Sequence, residues 1–508
     1  MKSVALGACP QEVELKLALL ASDPSSLGKL LARVPVLARR KPTHQNLHNV
    51  YYDTPKQVLR QQRVALRIRR IGSDAQPHWL QTLKTGGRGN SALSQRGEWE
   101  VGVPGPTLVL DALKAMPWRQ IDPDGTVFRS LLPAFVTTFV RTRWLVRRRD
   151  GSAVEVALDI GHITAGDKSA PICELELELL AGPPTALFDI AQQIARSIAV
   201  LPLTQSKSER GYNLAQKGVD TPLRAHPPKL TKDLSITEAA AHVLREMFGQ
   251  FSTNLNAVRS SDDPEAVHQA RIGWRRFRSA LRLFKPVLAL DTAPDWQALQ
   301  LLLGLLGELR DLDVACTETL PLLADVYSAG DTLRADAWQA MAHSLQQAAD
   351  LQRKSVRYAL LEPEVGSTLL AATQWLENLA ALSGPVGARG ETTLSLRRWS
   401  GLRMARMHRQ LKLARKDVDS PDSLDSVATQ HRLRILAKRM RYGIEALRPC
   451  LPPRRAQRWY LQAMALQLQL GAARDVAQAG ALAAKLDVDR ELVGFLQGVA
   501  IGQAMRGQ

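Results

Sequence analysis

Glu12, Glu14 and Lys16 alternate with Val13, Leu15 and Leu17 near the start of the chain, in P-Q-E-V-E-L-K-L-A-L-L. A period of two places the three charges on one face of a β-strand and the apolar residues on the other. The spacing recurs downstream, and there the charges sort by sign. Glu98/Glu100 and Glu174/Glu176/Glu178 are carboxylate sets, while Arg67/Arg69 and Arg141/Arg143 are arginine sets. Carboxylate sets are oxygen cages for Mg²⁺ or Mn²⁺. Arginine forks match phosphate oxygens two at a time, and lysines such as Lys84 add point charges. Together they suit phosphoryl chemistry, which needs positioning and neutralisation of oxygen charge. No serine or cysteine nucleophile is evident.

The elements that carry these residues read as antiparallel strands separated by Gly and Pro clusters. Segments run over 63–69, 78–84, 96–100, 139–149, 153–161 and 173–179, with Tyr51-Tyr52-Asp53 ending a further one at a turn. Glu155 and Asp159 share one face of the segment 153–161. A helix is expected over 185–200, its apolar stripe carried by Leu187, Ile190, Ile194 and Ile198. Each strand alone fits a sheet with one solvated face. A solvated sheet mixes signs along each strand, however, so the sorting favours a closed barrel whose charged faces turn inward.

The chain has 508 residues, a net charge of +18 and a pI near 10.0, which points to an anionic partner. Its length predicts two to four domains. Cys9, Cys173, Cys316 and Cys450 lie far apart, so neither a disulfide framework nor a zinc site is expected. Leu6-Gly7-Ala8-Cys9 has too short an apolar stretch for a signal, and no apolar run approaches ~20 residues. A cytoplasmic location without a membrane partner is expected. His44 and His48 have no third ligand nearby.

The ordered set of motifs resembles the CYTH superfamily, the triphosphate tunnel metalloenzymes. Glu12-Val13-Glu14-Leu15-Lys16 matches its E-x-E-x-K signature. The L-R-I-R element, T-L-K, E-x-E, R-T-R, the acidic strand at 173–179, and Lys207-Ser208 before Arg210 follow in order. The resemblance covers residues 1–216 and implies an α+β fold, an eight-stranded antiparallel barrel with flanking helices. It implies Mg²⁺ or Mn²⁺ at Glu12, Glu14, Glu174, Glu176 and Glu178. Phosphates would be gripped by Lys16, Arg67, Arg69, Lys84, Arg141, Arg143 and Lys207, with Glu98, Glu100 and Asp159 as supporting acids. Lys16, Glu12 and Glu14 would be the catalytic residues.

Residues 217–230 hold Pro222, Pro227 and Pro228 and read as a linker. Beyond it the periodicity is helical, and the chain repeats itself about 160 residues on. His268-x-x-Arg271-Ile272 aligns with His431-x-x-Arg434-Ile435, and Leu306-Gly307-x-x-Arg310-Asp311 with Leu470-Gly471-x-x-Arg474-Asp475. The expected halves are 231–393 and 394–508. His268, Arg271, Arg275, Arg278 and Arg282 form one basic stripe, and His431, Arg434, Lys438 and Arg441 repeat it. Arg403, Arg406 and Arg409 begin a third. Solvated helix faces intersperse Glu with Lys, whereas 267–286 holds no carboxylate. Such stripes repel themselves unless an anion lies between them. Trp274, Phe277 and Phe284 on the same helix read as core, and the Arg310–Asp311 and Arg474–Asp475 pairs as structural.

The repeated His–Arg helix resembles the CHAD domain, which implies an all-α unit over 231–508 that binds inorganic polyphosphate through those stripes. The second copy departs from the pattern at Gly471-Ala472-Ala473 and at Lys438, where the first has Arg275. The combined expectation is metal-dependent hydrolysis of inorganic tripolyphosphate to pyrophosphate and phosphate, in association with polyphosphate granules. A thiamine triphosphatase or class IV-type adenylyl cyclase is the alternative within the enzyme class. A non-catalytic polyphosphate- or nucleic-acid-binding scaffold is the alternative outside it. An aromatic content of 5% counts against nucleic acid.

Overall fold

The computed structural model describes residues 11–20, 23–72, 76–87, 91–216, 221–231, 233–288, 290–381, 394–418, 426–469, 472–486 and 488–506. The chain divides into two compact units, Met1–Pro222 with Leu360–Gln374, and Leu223–Ala359 with Trp375–Gln508.

The first unit is built on nine strands: β1 Gln11–Leu19, β2 Thr43–Asp53, β3 Val64–Ile71, β4 His78–Thr85, β5 Leu93–Val103, β6 Leu132–Arg147, β7 Ala153–Ala165, β8 Lys168–Ala181 and β9 Val200–Pro202. Their order is β5-β4-β3-β2-β6-β7-β8-β1-β9, and a further pairing of β1 with β5 closes eight of them into an antiparallel barrel. Gln11 to Leu15 lie opposite β5, and Leu17 to Leu19 lie opposite β9, so two strands share one edge of β1. The structure thereby decides between the two readings of the alternating strands. Strands β6 to β8 are longer than their sequence patterns suggested.

The pleat then sorts every strand. Leu15 and Leu17 of β1, Val154, Val156 and Leu158 of β7, and Leu175 and Leu177 of β8 form the outward apolar face. Helix α1, Thr185–Ala195, covers it with Leu187, Ile190 and Ile194, each 0% exposed. Burial of one such side chain contributes roughly 1.5–3 kcal/mol. Helix α2, Lys207–Gln216, packs against β6, β7 and β8. A Cβ at Gly211 would lie 2.2 Å from the Phe135 ring, so only glycine allows the helix this close. The Tyr212 hydroxyl donates to Asp53 at 2.9 Å and fixes the helix in rotation.

The second unit is helical. Its helices of ten residues or more, among the described residues, are α3 Ile236–Ser260, α4 Pro264–Phe284, α5 Gln300–Val314, α6 Thr332–Leu360, α7 Pro363–Ala381 (shared with the first unit), α8 Leu396–Val418, α9 Ser426–Leu447, α10 Pro453–Gln469, α11 Ala472–Ala484 and α12 Arg490–Arg506. Ser235 and Glu238 close a capping box at the start of α3. Asp263 caps α4, with Pro264 in its first turn. Gly273 lets α4 approach α3, because a Cβ there would stand 2.7 Å from the Phe251 backbone nitrogen. Trp274 and Phe277 fill that contact with Phe248 and Phe251. Phe284 stacks on Trp399 of α8.

Candidate active site and anion-binding helices

The barrel lumen encloses a cavity of about 290 Å³. Register places its lining. Lys16 of β1 faces Glu176 of β8, and Glu14 faces Glu178. Across the closing seam Glu12 faces Arg96, Lys84 faces Glu98 between β4 and β5, and Arg141 faces Asp159 between β6 and β7. These cross-strand positions are close enough for direct ion pairs.

The pairs form three groups. In the first, Arg96 reaches Glu12 at 2.9 Å and Glu14 at 2.5 Å, while Lys16 reaches Glu14 at 2.8 Å. Burial opposes the Arg96 charge, but Glu14 and Glu12 outweigh it and raise its pKa above the arginine range. In the second, Lys84 bonds Glu12 and Glu98, both at 3.0 Å, and Arg67 lies 3.5 Å from Glu98. Arg67 Nη1 donates to the Tyr51 hydroxyl at 3.2 Å, yet its buried Nε and Nη2 find no hydrogen-bond acceptor. Arg69 donates to Asn49 at 2.8 Å and stands 3.9 Å from Glu100. Burial, then Arg67 and Arg141, pull its pKa down to about 10.

The third group is a knot. Arg141 grips Asp159 in a fork at 2.7 and 2.6 Å and also meets Glu176. Lys207 of α2 reaches Asp159 at 2.6 Å and Glu176 at 2.9 Å and meets Glu174, which Arg210 engages as well. Burial disfavours the Lys207 ammonium, but the three carboxylates outweigh it and raise its pKa. Glu174 is 1% exposed and is not among the cavity-lining side chains. Nearer the other end Arg143 lies 3.5 Å from Glu155, and Glu155 faces Glu178 across the ladder.

In the helical unit the two copies of the basic motif converge. Arg271 of α4 lies over α5, where a Cβ at Gly307 would come within 2.8 Å of its Nη1. That clearance gives the repeated Leu-Gly-x-x-Arg-Asp motif a physical reason in its first copy; Leu470 and Gly471 lie outside the described residues. Burial and then Arg275 lower the Arg271 pKa to about 10, against the pull of Asp311. On α9, burial and then Arg275, Arg434 and Arg474 lower Lys438 to about 7. Arg434 is lowered by burial and Arg474. Burial and Arg310 lower His268, favouring neutral imidazole. Among the described residues, no carboxylate pairs with Arg271, Arg275, Arg278, Arg434 or Lys438. Arg282 is lowered by burial and then by Arg439. His431 is exposed, and Arg441 lies 3.6 Å from Glu445. Arg403 instead donates to the carbonyls of Leu283 at 3.1 Å and Arg282 at 3.2 Å, closing the end of α4. Arg406 and Arg409 are exposed. Arg310 pairs with Glu318 at 2.7 Å rather than with Asp311.

Comparison with known families separates the same two regions. The family model described as CYTH domain matches residues 10–212, and that described as CHAD domain matches residues 242–484. The chain carries a CYTH domain followed by a CHAD domain. A relative described as inorganic triphosphatase, from Haemophilus influenzae, is 36% identical over 211 residues, 41% of this chain. The match spans 56% of that relative's length. The CHAD domain of the plant Ricinus communis aligns with 29% identity and a TM-score of 0.46, covering 56% of this chain and 92% of that one. A putative adenylyl cyclase from Hippeastrum, described as having a dominant triphosphatase activity, aligns at 19% identity with a TM-score of 0.30, covering 39% of this chain and 94% of the other.

Among the described residues, one carboxylate cluster of the CYTH barrel is compact enough to share a divalent cation. Oxygens of Asp159, Glu174 and Glu176 lie within 4.8 Å of one another, but Lys207, Arg141 and Arg210 already neutralise them. Around Glu178 the balance is negative. Burial, then Glu12, Glu155 and Glu98, raise its pKa to about 7, a strain that a cation held there would relieve. Glu12 and Glu14 also meet cations, Lys84, Arg96 and Lys16, so Glu178 is the lumen carboxylate that burial and its acidic neighbours strain most. Arg96 and Glu155 line the cavity and were absent from the residues drawn from the resemblance. Their alternation within β5 and β7 was the available signal.

Proposed function

We propose that the CYTH barrel hydrolyses inorganic tripolyphosphate to pyrophosphate and phosphate with Mg²⁺ or Mn²⁺. The observation that carries this reading is the unmet hydrogen-bonding capacity of Arg67 beside the incompletely neutralised Arg69. Two buried N–H groups of Arg67 lack acceptors, and Arg69 sits among like charges with a depressed pKa. An anion with several oxygens between them supplies both deficits. Arg143 and Lys84 extend the grip along the lumen, and Lys16 and Arg96 hold Glu14 and Glu12 in place. Glu12, Glu14 and Glu178 would hold the metal, which supplies charge neutralisation on the phosphate oxygens when bound. Water adds to a terminal phosphorus as the bridging P–O bond breaks, so the two products share the oxygens and protons of substrate and water.

The name of the Haemophilus influenzae relative supports the inorganic substrate. So does the lining, whose aromatics are Tyr51, stacked on Phe135, and Phe139, lying beneath Arg141 and Lys207. Neither ring is left open for a nucleobase or thiazolium. Phosphate release from tripolyphosphate, ATP and thiamine triphosphate, measured side by side with each metal, tests the reading. Faster release from either organic substrate overturns it.

The CHAD domain is proposed to bind inorganic polyphosphate between the converged stripes of α4 and α9, which would also bring the enzyme to polyphosphate granules in the cytoplasm. Titration of the full chain with polyphosphate and with single-stranded RNA of equal charge tests this. Tighter RNA binding contradicts it.

A further inference from the structure

Helices α8 and α10 present a second basic surface in the helical unit, with a different composition from the converged stripes. Within α10 there is no carboxylate, and in α8 the only one is Asp417 in the last turn. Arg406, Arg409 and Lys412 of α8 and Arg454, Arg455 and Arg458 of α10 are exposed. None has a carboxylate partner among the described residues. The two helices meet where His408 stacks on Trp459 at 4.7 Å and contacts Gln462 at 3.3 Å. Burial lowers the His408 pKa, and Lys412 from its own helix and Arg458 from α10 lower it further. The charges of the two helices therefore act at one place.

Leucines separate this face from a simple polyanion site. Leu402 and Leu413 are 58% and 57% exposed, and they alternate with Arg406 and Arg409 at three- and four-residue spacing on α8. Leu461 and Leu468 of α10 are 46% and 68% exposed, the first beside Arg454 and Arg458. Arg448, Arg454 and Arg458 rim an open depression of about 680 Å³ in which Leu461 supplies apolar wall. An inorganic chain of phosphates has nothing to offer a leucine. Nucleic acid would use ring faces, but Trp459 is 7% exposed, stacked by His408 and overlain by Arg455 at 5.9 Å. Interspersed arginines and protruding leucines match the boundary of a bilayer, where phosphate headgroups meet acyl chains.

We propose that the exposed face of α8 and α10 docks on an anionic lipid bilayer, its arginines and lysines on headgroup phosphates and its leucines at the acyl boundary. Among the described residues no helix is long and apolar enough to cross a membrane, so the contact is peripheral. This departs from the sequence-based expectation of no membrane partner, and it stands independently of the triphosphatase reading.

The test is sedimentation of the full chain with vesicles of phosphatidylcholine alone and of phosphatidylcholine with phosphatidylserine. Retention is expected on the anionic vesicles only and is lost at high salt. Changing Lys412, Arg454 and Arg458 together to Gln should weaken it about a hundredfold, roughly fivefold per basic side chain. Leu413→Ser with Leu461→Ser should weaken it severalfold at unchanged charge. Arg275→Gln, on the other basic surface, should leave it unaltered. All these side chains are exposed, so an unchanged melting temperature verifies the fold of each variant. The proposal is overturned by absence of binding, by equal retention on neutral vesicles, by an equal loss with Arg275→Gln, or by RNA of equal charge binding the same face more tightly than the vesicles.

Discussion

The barrel and the helical unit use the same cationic side chains in opposite ways. In the lumen Arg96, Arg141 and Lys207 are buried, yet each sits against two or more carboxylates and its pKa rises. On the helices Arg271, Arg434 and Lys438 are less buried, yet they face other cations and their pKa values fall. Burial opposes the charge in both regions, so the neighbours set the sign. The lumen comes with its own counter-ions, and a ligand there must exchange with them. The helical stripes lack them, and a ligand there fills a deficit. Arg69 is the exception that locates the deficit within the lumen.

The largest effect should come from breaking the lumen's balance at the proposed metal end. Glu14→Gln is expected to reduce tripolyphosphate hydrolysis by about a thousandfold or more, a loss of ~4 kcal/mol in the transition state. Phosphate release under saturating metal measures it, and full activity in excess EDTA would remove the metal-dependent mechanism altogether.

Removing a cation should next have opposite consequences in the two regions. Lys207→Met leaves Asp159, Glu174 and Glu176 short of one positive charge in a buried knot, and a loss of roughly 3–5 kcal/mol is expected from chemical denaturation. Lys438→Met relieves repulsion on a partly exposed helix face. It should stabilise the chain, by no more than about 1 kcal/mol after solvent screening. Destabilisation by Lys438→Met would erase the contrast.

Between these two in size lies a pH effect. The folded-state pKa of Lys438, about 7, is below its unfolded value, so the folded chain holds fewer protons between that point and the ordinary lysine range. Stability should therefore rise with pH across that window. A polyanion on the stripes favours the ammonium and draws a proton in. Polyphosphate affinity is thus expected to fall roughly three- to tenfold from about pH 6.5 to 8.5, and to lose that slope in Lys438→Met. Calorimetry in buffers of different ionisation enthalpy detects the proton directly.

How much of this was legible depended on whether the signal was local. The inward faces of β1, β3 and β8 were readable because charged residues recur there at a spacing of two. Strand ends were not. β6 begins at Leu132-Pro133 and β8 includes Pro171, residues that read as turn until ladder partners are known. Helix α2 was not read from K-S-E-R-G-Y-N-L-A-Q, since tertiary contacts of Gly211 and Tyr212 hold it rather than an apolar stripe. The partnership of Arg96 with Glu12 and Glu14 crosses the closing seam and has no local trace. Spacing reveals the Glu174 carboxylate but not the lysine and arginine of α2 that meet it. On the helices, the basic stripes were readable, whereas their convergence and the diversion of Arg403 to the end of α4 depended on packing.

The shared edge of β1 has a consequence for how the molecule is made. Strands β6, β7 and β8 follow one another through short turns and can pair as they leave the ribosome. Strand β1 emerges first, but its partners are β5 at Leu93–Gly97, β8 at Glu174–Glu178 and β9 at Val200–Pro202. Its apolar face must wait through most of the domain's synthesis before it is covered. Pairings this distant in sequence form slowly, and an unpaired strand edge invites association with other chains in the interval. The alternating charges of Glu12, Glu14 and Lys16 lie on that waiting strand, so the residues that later face the lumen first serve as its solubilising guard.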